Sequence, residues 1–176
     1  MLRKQSDRMR ILGIDPGIAI VGYGIVDKEG NRYKTIAYDA ITTKAHTPLE
    51  ERLAKVYMGI NQIIQEYKPD AMSIEELFFN NNAKTALTVG QARGVIILAA
   101  YQNHVPIFEY TPLQVKQALT GYGRASKMQI QQMMKSMLGL TEIPKPDDVA
   151  DALAIAVCHG NSMRFNSIKQ FGGLML

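Results

Sequence analysis

The stretch Ile11–Gly17, Ile-Leu-Gly-Ile-Asp-Pro-Gly, decides the fold. A short apolar run of strand length ends in a carboxylate, and a Pro-Gly turn follows at once. This pattern places Asp15 at the tip of a buried strand. A carboxylate there needs a hydrogen-bond, ionic or metal partner, because a bare charge in an apolar setting costs much free energy. An Asp before Pro-Gly also caps ordinary turns, so this stretch alone leaves both interpretations open.

The composition is that of one globular domain. The 176 residues carry a formal net charge of +4, with 47% hydrophobic and 20% charged residues. There is no apolar run long enough for a bilayer, a single cysteine rules out an internal disulfide, and no signal-peptide core opens the chain. We therefore expect a cytoplasmic protein without a membrane span, and the positive charge favours a polyanionic partner.

Three segments make up the predicted domain organisation. Residues 1–8 are expected to form a disordered lead-in, residues 9–163 a single domain, and residues 164–176 a tail of unknown role. The domain opens with three strands in an antiparallel meander. Gly22 and Gly24 lie on one face of the second strand, which indicates close approach of another element to that face.

A second strand that ends in an acid follows the first helix. Thr47 is predicted to open that helix with a capping box, and residues 71–75 then form a short strand ending at Glu75, as the first strand ends at Asp15. Glu76 should face the opposite side. The next helix, over about 83–103, is apolar almost all round. Its face away from the sheet is a candidate homodimer contact, unless another helix of the same chain covers it.

A third group of acids begins the last helix. Capping boxes at Thr111 and Ser126 predict two short helices before it, and Asp147, Asp148 and Asp151 fall in its first turns. The helix dipole alone would favour acids there. Asp148 and Asp151 are three residues apart, however, and share one face of a helix that is strongly apolar beyond them.

Two strand ends and one helix start can therefore bring four carboxylates together: Asp15, Glu75, Asp148 and Asp151. Crowded carboxylates repel one another unless a cation is present, and an all-oxygen set suits Mg²⁺ or Mn²⁺ better than Zn²⁺. Two such ions about 4 Å apart serve phosphodiester hydrolysis. Basic residues near the linker before the acidic helix would hold a phosphate backbone, although each taken singly also fits a solvated surface charge. They are Lys116, Arg124 and Lys127.

Several separated motifs resemble the RuvC family of bacterial crossover-junction endodeoxyribonucleases. They are the opening stretch with Gly22-Tyr-Gly24, Ile74-Glu75, Gly90-Gln-Ala-Arg-Gly94, Gln114-Val-Lys116 and residues 148–156. Their order matches the family, and the resemblance runs from Met9 to about His159. It implies an α/β, ribonuclease H-like fold with a mixed five-stranded sheet flanked by helices. It also implies a homodimer that resolves Holliday junctions in recombination and repair, with the branch-migration proteins RuvA and RuvB as partners.

The resemblance also implies roles for single residues. It assigns metal binding and catalysis to Asp15, Glu75, Asp148 and Asp151, and leaves Glu76 and Asp147 as neighbours. Two Mg²⁺ ions per site are expected, with Mn²⁺ able to replace them. The expected reaction nicks two strands symmetrically and leaves 5′-phosphate and 3′-hydroxyl ends.

The expected DNA contacts surround these acids. Lys116 and Lys127 correspond to the family's phosphate-contacting lysines, and Arg124 and Arg93 are added as candidates. Phe78 falls where the family places an aromatic side chain, which would stack on unpaired bases near the crossover. Phe78 is alternatively the hydrophobic plug of its loop.

Two other functions stay open at this point. The Asp15-Pro-Gly turn also resembles the first phosphate loop of actin-like and sugar-kinase-like ATPases, although we find no second phosphate loop. The second alternative is a junction-binding protein without cleavage.

Overall fold

A mixed five-stranded sheet forms the centre of the computed structural model, which describes residues 8–77 and 83–172. The strands are β1 (Arg8–Asp15), β2 (Ile20–Glu29), β3 (Arg32–Thr42), β4 (Ala71–Glu75) and β5 (Ile107–Tyr110). Their order in the sheet is β3-β2-β1-β4-β5. β1, β2 and β3 pair antiparallel, whereas β1, β4 and β5 run parallel. The predicted opening meander is confirmed.

Helices cover both faces of this sheet. They are α1 (Leu49–Tyr67), α2 (Ala83–Gln102), α3 (Pro112–Thr120), α4 (Lys127–Met137) and α5 (Asp147–Gly172). One core, which includes Leu12 and Ile60, lies between the sheet and α1 and α2. The other, which includes Ile11 and Leu153, lies between the sheet and α3, α4 and α5. The predicted α/β architecture of the ribonuclease H-like fold, a mixed sheet flanked by helices, is confirmed.

Two of the three predicted capping boxes are present. At Thr111 and at Ser126 the side chain accepts from the backbone N–H three residues on, and a Gln side chain returns the bond. The prediction of a capping box at Thr47 is wrong, because α1 begins at Leu49, Pro48 is its N-cap residue, and no side chain caps the helix by a hydrogen bond. Thr47 therefore lies one residue too early to cap the helix.

The chain ends differ in detail from the predicted segments. β1 begins at Arg8, the last residue of the predicted lead-in, and residues 1–7 lie outside the described residues. At the other end α5 continues through the predicted boundary at residue 163 to Gly172, and residues 173–176 are outside the described part. Among the described helices, none combines the length and apolarity that a bilayer crossing requires.

His159 of α5 packs against β5. It is 1% exposed, its ring centroid lies 4.2 Å from that of Phe108, and its Nδ1 lies 2.7 Å from the hydroxyl oxygen of Tyr110. Burial lowers the pKa of His159 from 6.5 to about 4. The imidazole is therefore neutral in the folded protein at pH 7.

This shift of pKa predicts that the contribution of His159 to stability is lost in mild acid. As the pH falls below 6.5 the unfolded chain protonates His159 while the folded protein does not until about pH 4, so the contribution of His159 to the free energy of unfolding falls across that window. Asp15, whose pKa is raised, contributes in the opposite direction over the same range. At ~1.4 kcal/mol per pKa unit the full loss is about 3 kcal/mol. Urea denaturation at pH 7 and pH 4.5 measures it. His159→Gln lacks this ionisation, so between pH 7 and pH 4.5 its free energy of unfolding should change by about 3 kcal/mol in the stabilising direction relative to the unmodified protein. An equal change in the two proteins would contradict the assignment.

Candidate active site

Two strands end in acids side by side. Asp15 is the last residue of β1 and Glu75 the last of β4, and the preceding residues Ile14 and Ile74 are paired in the parallel ladder. Because parallel strands end at the same edge of a sheet, both acids lie at that edge. The exposed Glu76 follows, and its N–H donates to the carbonyl oxygen of Tyr110.

The start of α5 reaches this edge because glycines leave room for its backbone. Gly22 is paired with Asp15 across the antiparallel ladder. A Cβ on Gly22 would lie 2.1 Å from the carbonyl oxygen of Asp148, and one on Gly13 would lie 2.1 Å from that of Ala152. Only glycine allows such an approach. The close contact predicted on the face of Gly22 is thus made by α5, which brings Asp148 beside Asp15.

The acids at this edge influence one another's ionisation. The pKa of Asp15 is raised from 3.8 to about 8, chiefly by burial and then by the charges of Glu75, Asp151 and Asp148. Burial, followed by the charge of Asp151, also raises the pKa of Glu75. Burial is the main cause of the raised pKa of Asp151 as well. The structure thus brings the four predicted acids into one electrostatic environment.

Lys127 supplies positive charge to this group. Its Nζ lies 3.0 Å from Oδ2 of Asp151 and 3.7 Å from Oδ2 of Asp147. The hydrogen bond to Asp151 is the main cause of the raised pKa of Lys127. Asp147 also pairs with Lys145 at 2.8 Å. The Lys127–Asp151 contact was not predicted from the sequence.

A cavity of about 240 Å³ opens beside the acids. Its polar lining consists of Glu75, Asp151, Lys116 and Lys127, and its apolar lining comes from α3, α4 and α5. The structure therefore places both predicted lysines next to two of the acids. Arg124 is exposed in the loop between α3 and α4 and does not line this cavity.

The other two predicted DNA-contact residues are placed differently. Arg93 approaches β4 from the α2 side, where its Nε donates to the carbonyl oxygen of Glu75 at 3.3 Å. Its terminal nitrogen lies 2.7 Å from Oε2 of Glu109 in β5. No local sequence pattern links residues in α2, β4 and β5, so this contact could not be predicted. Phe78 lies outside the described residues.

The donor chemistry of the acids fits a divalent cation. Within residues 8–77 and 83–172, no three Asp, Glu, His or Cys side chains are placed to hold a metal ion together. Asp15 and its acidic neighbours nevertheless repel one another, and this repulsion contributes, after burial, to the raised pKa of Asp15. Their donor atoms are all oxygens, the ligands that Mg²⁺ and Mn²⁺ prefer. A cation is therefore the expected partner of this group.

Comparison with known proteins agrees with this geometry. A family model described as "Crossover junction endodeoxyribonuclease RuvC" matches residues 11–159. The crossover junction endodeoxyribonuclease RuvC of Alkaliphilus oremlandii is 59% identical over 160 residues, which cover 91% of this chain and 98% of that protein. The solved structure of Thermus thermophilus RuvC with a Holliday junction substrate is 36% identical, with a TM-score of 0.86 and coverage of 90% of this chain and 96% of that one. The residues that the family model matches include all four acids.

Proposed function

The chain belongs to the RuvC family of crossover junction endodeoxyribonucleases, and we infer that it resolves Holliday junctions in recombination and DNA repair. The reaction is a divalent-metal-dependent hydrolysis that nicks two strands symmetrically. The observation that carries this proposal is the edge of the sheet where Asp15, Glu75 and the start of α5 meet beside two lysines. We place the reaction in the cytoplasm, where bacterial DNA lies.

The family match favours this function over both alternatives from the sequence. It spans residues 11–159 and includes every acid of the site. An actin-like or sugar-kinase-like ATPase would use the turn after Asp15 to hold nucleotide phosphates. A junction-binding protein without cleavage has no use for four carboxylates whose mutual repulsion opposes folding.

We propose that the four acids hold two Mg²⁺ ions, with Mn²⁺ able to replace them. When bound, the ions would lower the pKa of the attacking water and stabilise the departing 3′ oxygen. The burial of Asp15 and the charges around it support this assignment. The fixed strand ends and the close contact at Gly22 hold Asp15, Glu75 and Asp148 in place before DNA arrives.

Lys116 and Lys127 would hold the phosphate backbone at the cavity. Both line it together with Glu75 and Asp151. Lys127 is the counter-charge of Asp151 in the structure, and a cation among the acids would free its ammonium group to contact phosphate. Arg124 extends the basic rim into the exposed loop. We propose that Phe78, three residues after Glu75, stacks on unpaired bases near the crossover.

A homodimer would present two such sites to the junction. Leu87, Leu98 and Tyr101 of α2 are 64%, 47% and 75% exposed, and their spacing places them along one face of the helix. This apolar face supports a contact with a second copy, whose two-fold symmetry suits two strands of like polarity. We also propose RuvA and RuvB as partners, on the basis of family membership alone.

Cleavage of a synthetic, end-labelled four-way junction tests the proposed function. With Mg²⁺ or Mn²⁺ we expect paired symmetric nicks that DNA ligase can reseal, since the ends carry 5′ phosphate and 3′ hydroxyl groups. With EDTA the junction should be bound but not cut, and linear duplex should not be cut under either condition. Cleavage that persists in EDTA would contradict the metal assignment. A protein that neither binds nor cuts the junction at low salt, where phosphate contacts are strongest, would contradict the function.

A further inference from the structure

We propose that Arg93 is a positioning residue for cleavage: it fixes the end of β4, and with it the carboxylate of Glu75, from the face of the sheet opposite α5. The inference rests on the proposed nuclease function. It adds a residue outside the acidic group and gives Arg93 a role other than contact with DNA.

At the end of β4, Glu75 is paired with a neighbouring strand on one side only. Ile74 is the last residue of β4 that pairs with β1, so Glu75 extends one residue beyond that ladder. On the other side Glu75 pairs with Tyr110 of β5, a strand of four residues at the edge of the sheet. The carbonyl oxygen of Glu75 accepts the hydrogen bond from Nε of Arg93 at 3.3 Å. Arg93 thus attaches the strand end to α2 at the residue whose side chain enters the acidic group.

Glu109 is the ionic partner of the guanidinium group. Its Oε2 lies 2.7 Å from the terminal nitrogen of Arg93, and Glu109 itself is paired with Ile74 in the parallel ladder. One arginine therefore connects α2, β4 and β5. The Glu109 side chain is 47% exposed, and half-exposed ion pairs add little stability. The pair therefore keeps the charged group near the ends of β4 and β5 and adds little to the stability of the fold.

The placement of Arg93 does not suit a phosphate contact. Its side chain is 16% exposed, against 55% for Lys127. To reach a phosphate it would have to leave both the carbonyl oxygen of Glu75 and the carboxylate of Glu109. The arginine donates to the strand end with a planar group that lysine cannot reproduce. Groups that orient metal ligands in this way affect metal affinity and activity about 10- to 100-fold.

The test separates metal binding from DNA binding. The variants are Arg93→Gln, Arg93→Lys and Glu109→Gln, with Arg32→Gln as a control that removes an exposed arginine at the far edge of the sheet. Three quantities are measured on the full chain: the affinity for Mn²⁺ by calorimetry without DNA, the affinity for the junction in EDTA at several salt concentrations, and the single-turnover cleavage rate against Mg²⁺ concentration.

We expect Arg93→Gln to bind Mn²⁺ about tenfold more weakly and to cleave about tenfold more slowly. Its junction affinity in EDTA and the salt dependence of that affinity should equal those of Arg32→Gln. Arg93→Lys should share the metal defect although it keeps the charge, and Glu109→Gln should show a smaller change in the same direction. Glu109 is half exposed, so Glu109→Gln should fold even if Arg93→Gln does not. The test then rests on the Glu109 variant.

Two outcomes would overturn the proposal. If Arg93→Gln weakens junction binding in EDTA, Arg93→Lys restores it and the Mn²⁺ affinity is unchanged, Arg93 contacts DNA. If every quantity equals that of the unmodified protein, Arg93 has no role in the site. Failure of the nuclease function is distinguishable, because an unmodified protein that does not cut the junction still reports the effect of Arg93 on Mn²⁺ binding.

Discussion

Asp15→Asn should abolish junction cleavage while junction binding and folding persist. Asp15 is the acid whose ionisation is affected by all three of the others, since the charges of Glu75, Asp151 and Asp148 each raise its pKa. Asn has the same shape but lacks the negative charge that a cation requires. A bound cation contributes several kcal/mol to the stabilisation of the transition state, so the rate should fall by about a thousandfold or more. Single-turnover cleavage of the junction with Mg²⁺ measures the loss.

A second measurement on Asp15→Asn separates a chemical defect from a folding defect. The buried carboxylate of Asp15 lies among like charges, so its neutral replacement should not lower the melting temperature in EDTA. Mg²⁺ should raise the melting temperature of the unmodified protein more than that of the variant. Glu76→Gln is the control, because this exposed acid adjoins Glu75 without entering the group. Cleavage by Asp15→Asn within tenfold of the unmodified rate would contradict the assignment.

The acids were predictable because their signals are local. An apolar run that ends in an acid before a turn or loop marks the end of a buried strand, and this holds for both Asp15 and Glu75. The spacing of Asp148 and Asp151 likewise places them on one helix face. β1 and β4 pair in parallel, and the crossover connection that parallel strands require runs through β2, β3 and α1. Local patterns and simple topology together account for the strand ends and the helix start.

The contacts that orient these acids were not predictable from the sequence. Arg93 meets Glu75 and Glu109 only because α2 packs behind β4 and β5. The ion pair of Lys127 with Asp151 depends on how α4 lies against α5. The sequence indicated that some element approaches Gly22, but the packing of the helices decides that it is α5. Such information resides in tertiary packing rather than in any single segment.

Lys127 shows why placement near a site does not define one role. Its ammonium group neutralises Asp151 in the structure, and the same group lines the cavity that would receive a phosphate. A cation and a lysine compete for the same carboxylate oxygens, since both are attracted by the negative charge. Binding of the cation and release of Lys127 toward DNA are therefore coupled steps in the proposed function.

Gly22→Ala should lower both the stability of the protein and its cleavage rate. The new Cβ would lie 2.1 Å from the carbonyl oxygen of Asp148 and 2.3 Å from its carbonyl carbon. Both atoms belong to the backbone, so α5 has to move as a whole. Overpacking of this kind costs about 1–3 kcal/mol or more. A displacement of about 1 Å at a site can cost 100-fold in rate. Urea denaturation and single-turnover cleavage under conditions where the variant is folded measure the two effects separately.

Gly24→Ala distinguishes a displaced acid from general damage to the core. Gly24 lies on the same face of β2, but its added Cβ would meet Leu153, with Cδ2 at 2.5 Å, Cγ at 2.7 Å and Cα at 3.2 Å, and not the backbone of Asp148. Leu153 is a buried core residue beyond the turn that carries Asp148, so the substitution disturbs the core without pressing directly on the acid. We expect Gly24→Ala to lose less cleavage than Gly22→Ala at equal loss of stability. If the two variants lose cleavage in proportion to stability alone, the close contact at Gly22 serves only packing, and the position of Asp148 does not depend on it.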